Sequence, residues 1–404
     1  MLKVADALAG AGYNVRVVSA NFVRWASDLD RDVRLTREWP WTVINYECQS
    51  APMTYLLTGI RYHSCKWISQ LRRTRISLHL TNRAHSRIHS ELVRAVLAQP
   101  ADLVYAGTRM ALGAAAEAAD QMRIPYALDL EDFHTAEQYS SLNGGIADRL
   151  VERIERTVLP QARFVTAASD AISAAYFQKY GIRPITLNNT FALPSTPVNN
   201  EPSPTEGLRL YWFSQTIGPG RGLEDSIRAV SLARITAQLH LRGCALPGYV
   251  EQLRNLASQC GARLELVQHR PVSPDSMVDG CRGYDVGLAL EQGDNFNREI
   301  CLTNKAFTYI LAGLAVAFTD TSGQHDLAVN LGEGALLYRQ GDVAALAIGL
   351  KRWAEDKSQL ARAKLAAWRA AQHRWHWEHP KERGALLAAV ASIFALQYAD
   401  CRYS

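Results

Sequence analysis

The sequence predicts an α/β protein of two similar halves, each a parallel sheet with helices on its faces. Three observations carry that expectation. Strand-like apolar runs and helix-periodic runs alternate along almost the whole chain. One Pro-rich polar run, 194–207, interrupts the alternation, which then restarts. At 404 residues the chain is also too long for one ordinary core.

In the first half, strands are expected at 15–19, 42–46, 103–106, 126–130, 164–167 and 185–187. Helical periodicity fits 83–97, 111–121, 146–159 and 171–180. In the second half, strands are expected at 208–213, 239–241, 264–267, 286–290, 315–318 and 335–338. Helices there fit 223–233, 248–260, 305–311 and 343–353. The expected domains are therefore 1–193 and 208–380, both Rossmann-like, with the linker 194–207 between them. Segment 381–404 adds a last apolar helix. Two such halves leave an interdomain cleft, where ligands usually bind.

One element is out of place. Residues 2–12 read as a helix and 13–19 as the strand after it. A doubly wound sheet begins with a strand that ends up central. The first strand of the N-terminal domain is thus expected to be missing. Upstream codons for an apolar strand and a Gly-rich turn, roughly 15–20 residues, are expected to supply it.

Hydrophobic residues at 48% and charged ones at 21% indicate a globular chain, not a disordered one. No apolar run reaches the ~18 residues a membrane span needs, and residues 1–12 lack a signal-peptide pattern. Seven scattered Cys form no C-x-x-C, which points away from a disulfide framework and a zinc site. A cytoplasmic protein is expected.

Charge is uneven. Arg61, Lys66, Arg72, Arg73, Arg75, Arg83, Arg87 and Arg94 lie in 61–94 against one acid, Glu91, and aromatic Tyr62 and Trp67 sit among them. Such a segment suits peripheral contact with an anionic membrane. A solvated helix pair reads equally well, and nucleic acid is the minor reading.

The chemistry concentrates in three segments. In Cys301–Val316, Asn304 sits where a helix would start, Lys305 follows, and Gly313 ends the helix before a buried strand. A helix start carrying a Lys suits an anionic group such as a diphosphate. In Tyr211-Trp-Phe-Ser-Gln-Thr-Ile-Gly-Pro-Gly-Arg-Gly222, a strand runs into a Gly-rich turn. Gly220 there permits close backbone approach, and Arg221 can fork onto phosphate. In Leu128-Asp-Leu-Glu-Asp-Phe-His134, Glu131 and Asp132 follow a buried strand and could orient or deprotonate a hydroxyl. The Trp368, Trp375 and Trp377 cluster is expected to pack between helices.

These segments resemble nucleotide-sugar-dependent glycosyltransferases of the GT-B fold, similar to glycosyltransferase family 4. Asn304-Lys305, Tyr309, Gly313 and Val316 follow that family's "NK-x-x-x-Y-x-x-x-G-x-x-V" helix. Gly218–Gly222 resembles its first donor loop, in which two basic residues hold the diphosphate. Arg221 matches the second, and Thr216 stands at the first. The family's ribose-binding Glu is Thr308 here. Glu299 falls next to the slot of a carboxylate near the donor sugar; its E-x7-E spacing from Glu291 is read as accidental. Leu128–His134 resembles a "D-x-H-E/D" segment, with Glu131 at the His position. Asn188-Asn189-Thr190 resembles an "N-G-V" turn before the linker.

The resemblance implies a metal-independent, retaining hexosyltransferase with no cofactor, taking a UDP- or GDP-sugar as substrate. Its acceptor would be a glycan or lipid-linked hydroxyl in cell-envelope or exopolysaccharide synthesis. It also implies that the last helix crosses back to the first domain. A non-catalytic GT-B-like partner or scaffold is the alternative. A dehydrogenase is disfavoured, because no G-x-G-x-x-G opens either half.

Overall fold

The computed structural model describes residues 1–71, 76–136, 145–197 and 207–400. The chain divides into two compact units, Met1–Leu187 with Pro380–Ser404, and Asn188–His379. Much of the expected linker, 198–206, lies outside the described residues.

The first unit runs α1 (Leu2–Gly10), β1 (Val17–Asn21), α2 (Arg24–Leu35), β2 (Trp41–Asn45), α3 (Pro52–Leu71), α4 (Leu78–His85), α5 (His89–Leu97), β3 (Val104–Gly107), α6 (Leu112–Met122), β4 (Tyr126–Leu130), α7 (Ile146–Val158), β5 (Val165–Ala167), α8 (Asp170–Tyr180) and β6 (Ile185–Thr186). Its strands fall into two parallel sheets, β1-β2 and β3-β4-β5-β6. A single sheet in the doubly wound order would need one more strand between β1 and β3. Among the described residues none fills that place. Ile88, the N-cap of α5, and Leu92 and Val93 within it pack with Ala114 and Ala118 of α6, over Val18 and Ile44.

The basic window differs from its expected form. Residues 83–97 form two helices, because Ser86 takes an extended backbone and ends α4. Three of its arginines turn inward. Arg61 pairs with Glu91 and Arg83 with Glu117, while Arg87 donates to Thr58 Oγ1 and to the Tyr55 carbonyl. Residues 72–75 lie outside the described set.

The second unit runs β7 (Leu208–Ile217), α9 (Leu223–Ala233), β8 (Thr236–Ala245), α10 (Tyr249–Gln259), β9 (Arg263–His269), β10 (Val286–Ala289), α11 (Phe296–Ile300), α12 (Asn304–Leu311), β11 (Ala315–Thr319), α13 (His325–Leu331), β12 (Ala335–Tyr338), α14 (Val343–Glu355) and α15 (Lys357–His373). Its sheet is wholly parallel, in the order β12-β11-β10-β7-β8-β9. Read from β9, that is the doubly wound 3-2-1-4-5-6 order, with the topological switch between β7 and β10. Both sheet faces are covered. Leu210, Trp212, Leu239 and Val286 pack under one set of helices. Tyr211, Phe213, Val316 and Phe318 pack against Phe307, Ile310 and Trp368 on the other. All three tryptophans of the cluster are held in this unit: Trp368 and Trp377 are buried, and Trp375 tilts on Phe307 at 5.8 Å.

The second unit begins at Asn188, ahead of the Pro-rich run. Trp377 N–H donates to the Phe191 carbonyl, and Leu193 N–H donates to Glu378. Those bonds tie 188–193 to the unit's own last turn. The closing helix, α16 (Ala385–Asp400), belongs with the first unit, where Phe394 meets Tyr13 at 5.7 Å.

Candidate functional site

The loops after β7 and β10 both leave the carboxyl edge of the second sheet at its switch point. In the first loop, Gly220 and Gly222 take φ near +70°. A Cβ on Gly222 would lie 2.6 Å from Leu290 Cβ and 2.7 Å from the Leu290 carbonyl, so no side chain fits. Gly222 is the N-cap of α9, and among the described residues no side chain caps it, which leaves first-turn N–H groups at the positive end of the helix dipole. Arg298 Nη1 donates to the Gly220 carbonyl at 2.8 Å and braces the loop from α11. Arg221 is half-buried, and its guanidinium has no hydrogen-bond or ion-pair partner among the described residues.

Lys305 corrects an expectation. A lysine offered to an anionic ligand from a helix start would stand exposed, yet Lys305 is only 5% exposed. Its Nζ donates to Glu291 Oε1 at 2.6 Å and sits 5.8 Å from the Trp212 ring centre. Glu291 follows β10 and faces the first turn of α12, which draws the ammonium inward. Burial alone would raise the Glu291 carboxyl. The Lys305 charge and hydrogen bond outweigh that, with Arg221 and Arg298 adding to them, and hold Glu291 below its ordinary range.

Helix α12 is punctuated one residue earlier than expected. Thr303 is its N-cap and Asn304 its first helical residue. At the other end Gly313, at φ +71°, follows the cap: its N–H donates to Ile310, and Leu314 N–H donates to Tyr309. Thr308 is fully buried and its hydroxyl donates to the Asn304 carbonyl at 2.8 Å, so it does not stand open to a ribose. Glu299 likewise faces its own unit. Its Oε1 accepts from Ser322 N–H at 2.9 Å and Ser322 Oγ at 2.8 Å, pinning the loop after β11. Two buried atoms on this edge, Thr303 Oγ1 and Asn295 Nδ2, have no hydrogen-bond partner among the described residues.

In the first unit, Glu131 and Asp132 follow β4 and are half-buried. Burial first, and the Asp129 carboxylate second, push the Glu131 carboxyl up. Asp129 is itself fixed by a 2.6 Å bond from Thr166 Oγ1. His134 turns away into the core, where its Nδ1 lies 3.2 Å from Glu155 Oε1. Glu155 is fully buried and also accepts from Tyr176 at 2.7 Å and Tyr180 at 2.6 Å. Tyr176 touches the Asp132 carbonyl and His134 N–H, so the network sets the backbone that carries Glu131 and Asp132. Sequence reading missed Glu155, because its partners lie 21 and 25 residues away.

Burial would raise Glu155, but the His134 bond and charge and the two tyrosine bonds outweigh it and lower it. A lowered carboxyl stabilises the fold above its unfolded value of about 4.3, and that contribution is lost as pH falls through the folded value. Melting temperature should therefore drop steeply on acidification below about pH 4, and less steeply in Glu155→Gln. Parallel melting curves of the two proteins from neutral to acid pH would contradict this.

The topology and the switch-point loops define the class: a GT-B protein with two Rossmann-like α/β units. The resemblance drawn from the motifs holds at that level. Residues 1–187 match the family described as "Glycosyl transferase 4-like domain". No curated protein matches the sequence. Among solved structures, HepE of Anabaena, in complex with UDP, is similar over 94% of this chain and 100% of its own, at 18% identity and TM-score 0.60. Sucrose-phosphate synthase of Thermosynechococcus elongatus is similar over 98% and 92%, at 14% identity and TM-score 0.65. A glycosyltransferase of Rickettsia africae is similar over 95% and 99%, at 10% identity and TM-score 0.57.

Proposed function

We propose that this chain is a glycosyltransferase that moves a hexose from a UDP- or GDP-sugar to a hydroxyl on a glycan or lipid-linked acceptor. Arg221 carries the reading: a guanidinium with no hydrogen-bond or ion-pair partner among the described residues, on a Gly-rich loop beside a helix start that no described side chain caps, at the switch point of a doubly wound sheet. Loss of a nucleoside diphosphate loads charge on the β-phosphate. Arg221 and the α9 N–H groups stabilise that charge. Lys305 has three N–H donors, one of them given to Glu291, and it reinforces the same edge. Support for a uridine donor comes from HepE, solved with UDP and with UDP-glucose. The acceptor hydroxyl is oriented by Glu131 and Asp132.

Transfer proceeds with retention and without a metal or cofactor, in building cell-envelope or exopolysaccharide glycans on the cytoplasmic side. Among the described residues no helix is long and apolar enough to cross a membrane. The test is nucleoside diphosphate release from a panel of UDP- and GDP-sugars, with and without EDTA. We expect turnover of one donor class, unchanged by EDTA. Activity lost to EDTA and restored by Mn²⁺ would overturn the metal-free reading. No turnover with any donor and acceptor would favour the non-catalytic scaffold.

A further inference from the structure

One guanidinium of the second unit is turned onto a backbone carbonyl, and the peptide it holds belongs to Arg221. Arg298 stands on α11, a helix of five residues, too short to hold its own shape. Neighbouring loops of the same sheet edge fix it. Asn295 Oδ1 caps it by accepting from Arg298 N–H at 2.9 Å. Gly323 N–H, in the loop after β11, donates to the Glu299 carbonyl at 2.9 Å, beside the Ser322 bonds to the same residue. Gln340 Oε1, in the loop after β12, accepts from Gly293 N–H at 3.0 Å. From that mounting Arg298 Nη1 reaches the Gly220 carbonyl, 78 residues away in sequence.

The Gly220 carbonyl and the Arg221 N–H belong to one peptide unit. That unit is planar and trans, so the two groups point in opposite directions. Holding the carbonyl on α11 therefore turns the Arg221 N–H away from α11. Among the described residues this N–H makes no hydrogen bond. Without a brace the unit is easily turned over, because Gly220, at φ +70°, has no Cβ to oppose the rotation. Gly222, also at φ +70°, loosens the chain on the other side of Arg221. A loop of glycines gains close approach to a ligand and loses a fixed direction. The Arg298 bond restores the direction, and a charged donor makes it roughly twice as strong as a neutral one would. We infer that Arg298 is a positioning residue, which locks the Gly220–Arg221 peptide and so aims Arg221 at the diphosphate of the donor. The aim rests on the donor reading above; the lock does not.

Two measurements on the full chain test it. Trypsin cuts after Arg221 when the loop opens, so the rate of that cut, read by mass spectrometry with no nucleotide present, reports the lock. We expect Arg298→Met to speed the cut ~10-fold, the worth of one charged hydrogen bond. Arg298→Lys keeps a charged donor for the carbonyl and should stay near the wild-type rate. The second measurement is the affinity for UDP and for GDP by calorimetry, in wild type, Arg298→Met, Arg221→Ala and the double variant. For the nucleotide that wild type binds, Arg298→Met should weaken affinity ~10-fold alone and by about twofold at most once Arg221 is Ala, since nothing is left to aim. A residue that touched the phosphate itself, or that only held the fold, would cost the same in both backgrounds, and that result would overturn the inference. So would an unchanged cut after Arg221 in Arg298→Met. Melting curves accompany every variant. Where Arg298→Met melts below wild type, Arg298→Gln, polar but too short for the Gly220 carbonyl, takes its place in both measurements. Binding of neither nucleotide by wild type would overturn the donor reading and the aim with it, whereas the cut still decides the lock.

Discussion

Arg221→Ala should lower turnover by on the order of 10²-fold, the cost of removing one preorganised stabiliser of transition-state charge. The fold should tolerate it, because the guanidinium holds no partner among the described residues. Arg221→Lys should recover only part of the rate, since a point charge cannot reproduce a two-pronged contact. The assay is single-donor turnover beside a melting curve for each variant. Wild-type rates in Arg221→Ala would detach the diphosphate from this loop. An inactive but intact Arg221→Ala also gives the donor reading a control that an unfolded variant could not.

Glu291→Ala should destabilise by ~3–5 kcal/mol, because it strands a buried ammonium. Lys305→Ala should cost as much for the mirror reason, so loss of activity in that variant alone says nothing of phosphate binding. The double change Glu291→Leu/Lys305→Met removes both charges from a buried site and should cost far less than the two single changes added. It also separates roles. If the double variant folds yet turns over like Arg221→Ala, the ammonium acts on the donor. If it folds and keeps the wild-type rate, Lys305 is structural. Chemical denaturation of the three variants gives the coupling directly. Additive costs would mean that the 2.6 Å contact carries no net interaction.

What the sequence made legible was periodicity and punctuation. Each of the twelve expected strands overlaps one observed strand, because buried parallel strands read as short apolar runs between turn residues. Gly220 and Gly222 were readable as loop glycines, and both have positive φ. The break at Ser86 was not legible, since α4 and α5 continue the same apolar period on either side. Nor was α3, whose exposed leucines carry the pattern of a core-facing helix. At the candidate site, residue types were readable and directions were not. Lys305 reads as a cation open to a diphosphate because its partner stands 14 residues back, in the loop after β10. Spacing alone set Glu291 aside, yet the structure makes it the anchor of Lys305. His134 closes the acidic segment that carries Glu131 and Asp132, but its ring belongs to a buried Glu155 on α7. Side-chain pairing across elements is a tertiary property, and a linear pattern carries no record of it.

The central claim is that the second unit holds the diphosphate of a nucleotide donor on the Arg221 loop. Thermal shift with UDP, GDP, UMP and uridine, on wild type and on Arg221→Ala, tests it most directly. At a hundredfold excess over its dissociation constant, a nucleotide that binds only the folded chain stabilises by ~2.7 kcal/mol. The account predicts that one nucleoside diphosphate shifts the wild-type melting temperature clearly, that uridine does not, and that Arg221→Ala loses most of the shift. Equal shifts with uridine and UDP, or a full diphosphate shift in Arg221→Ala, would contradict it.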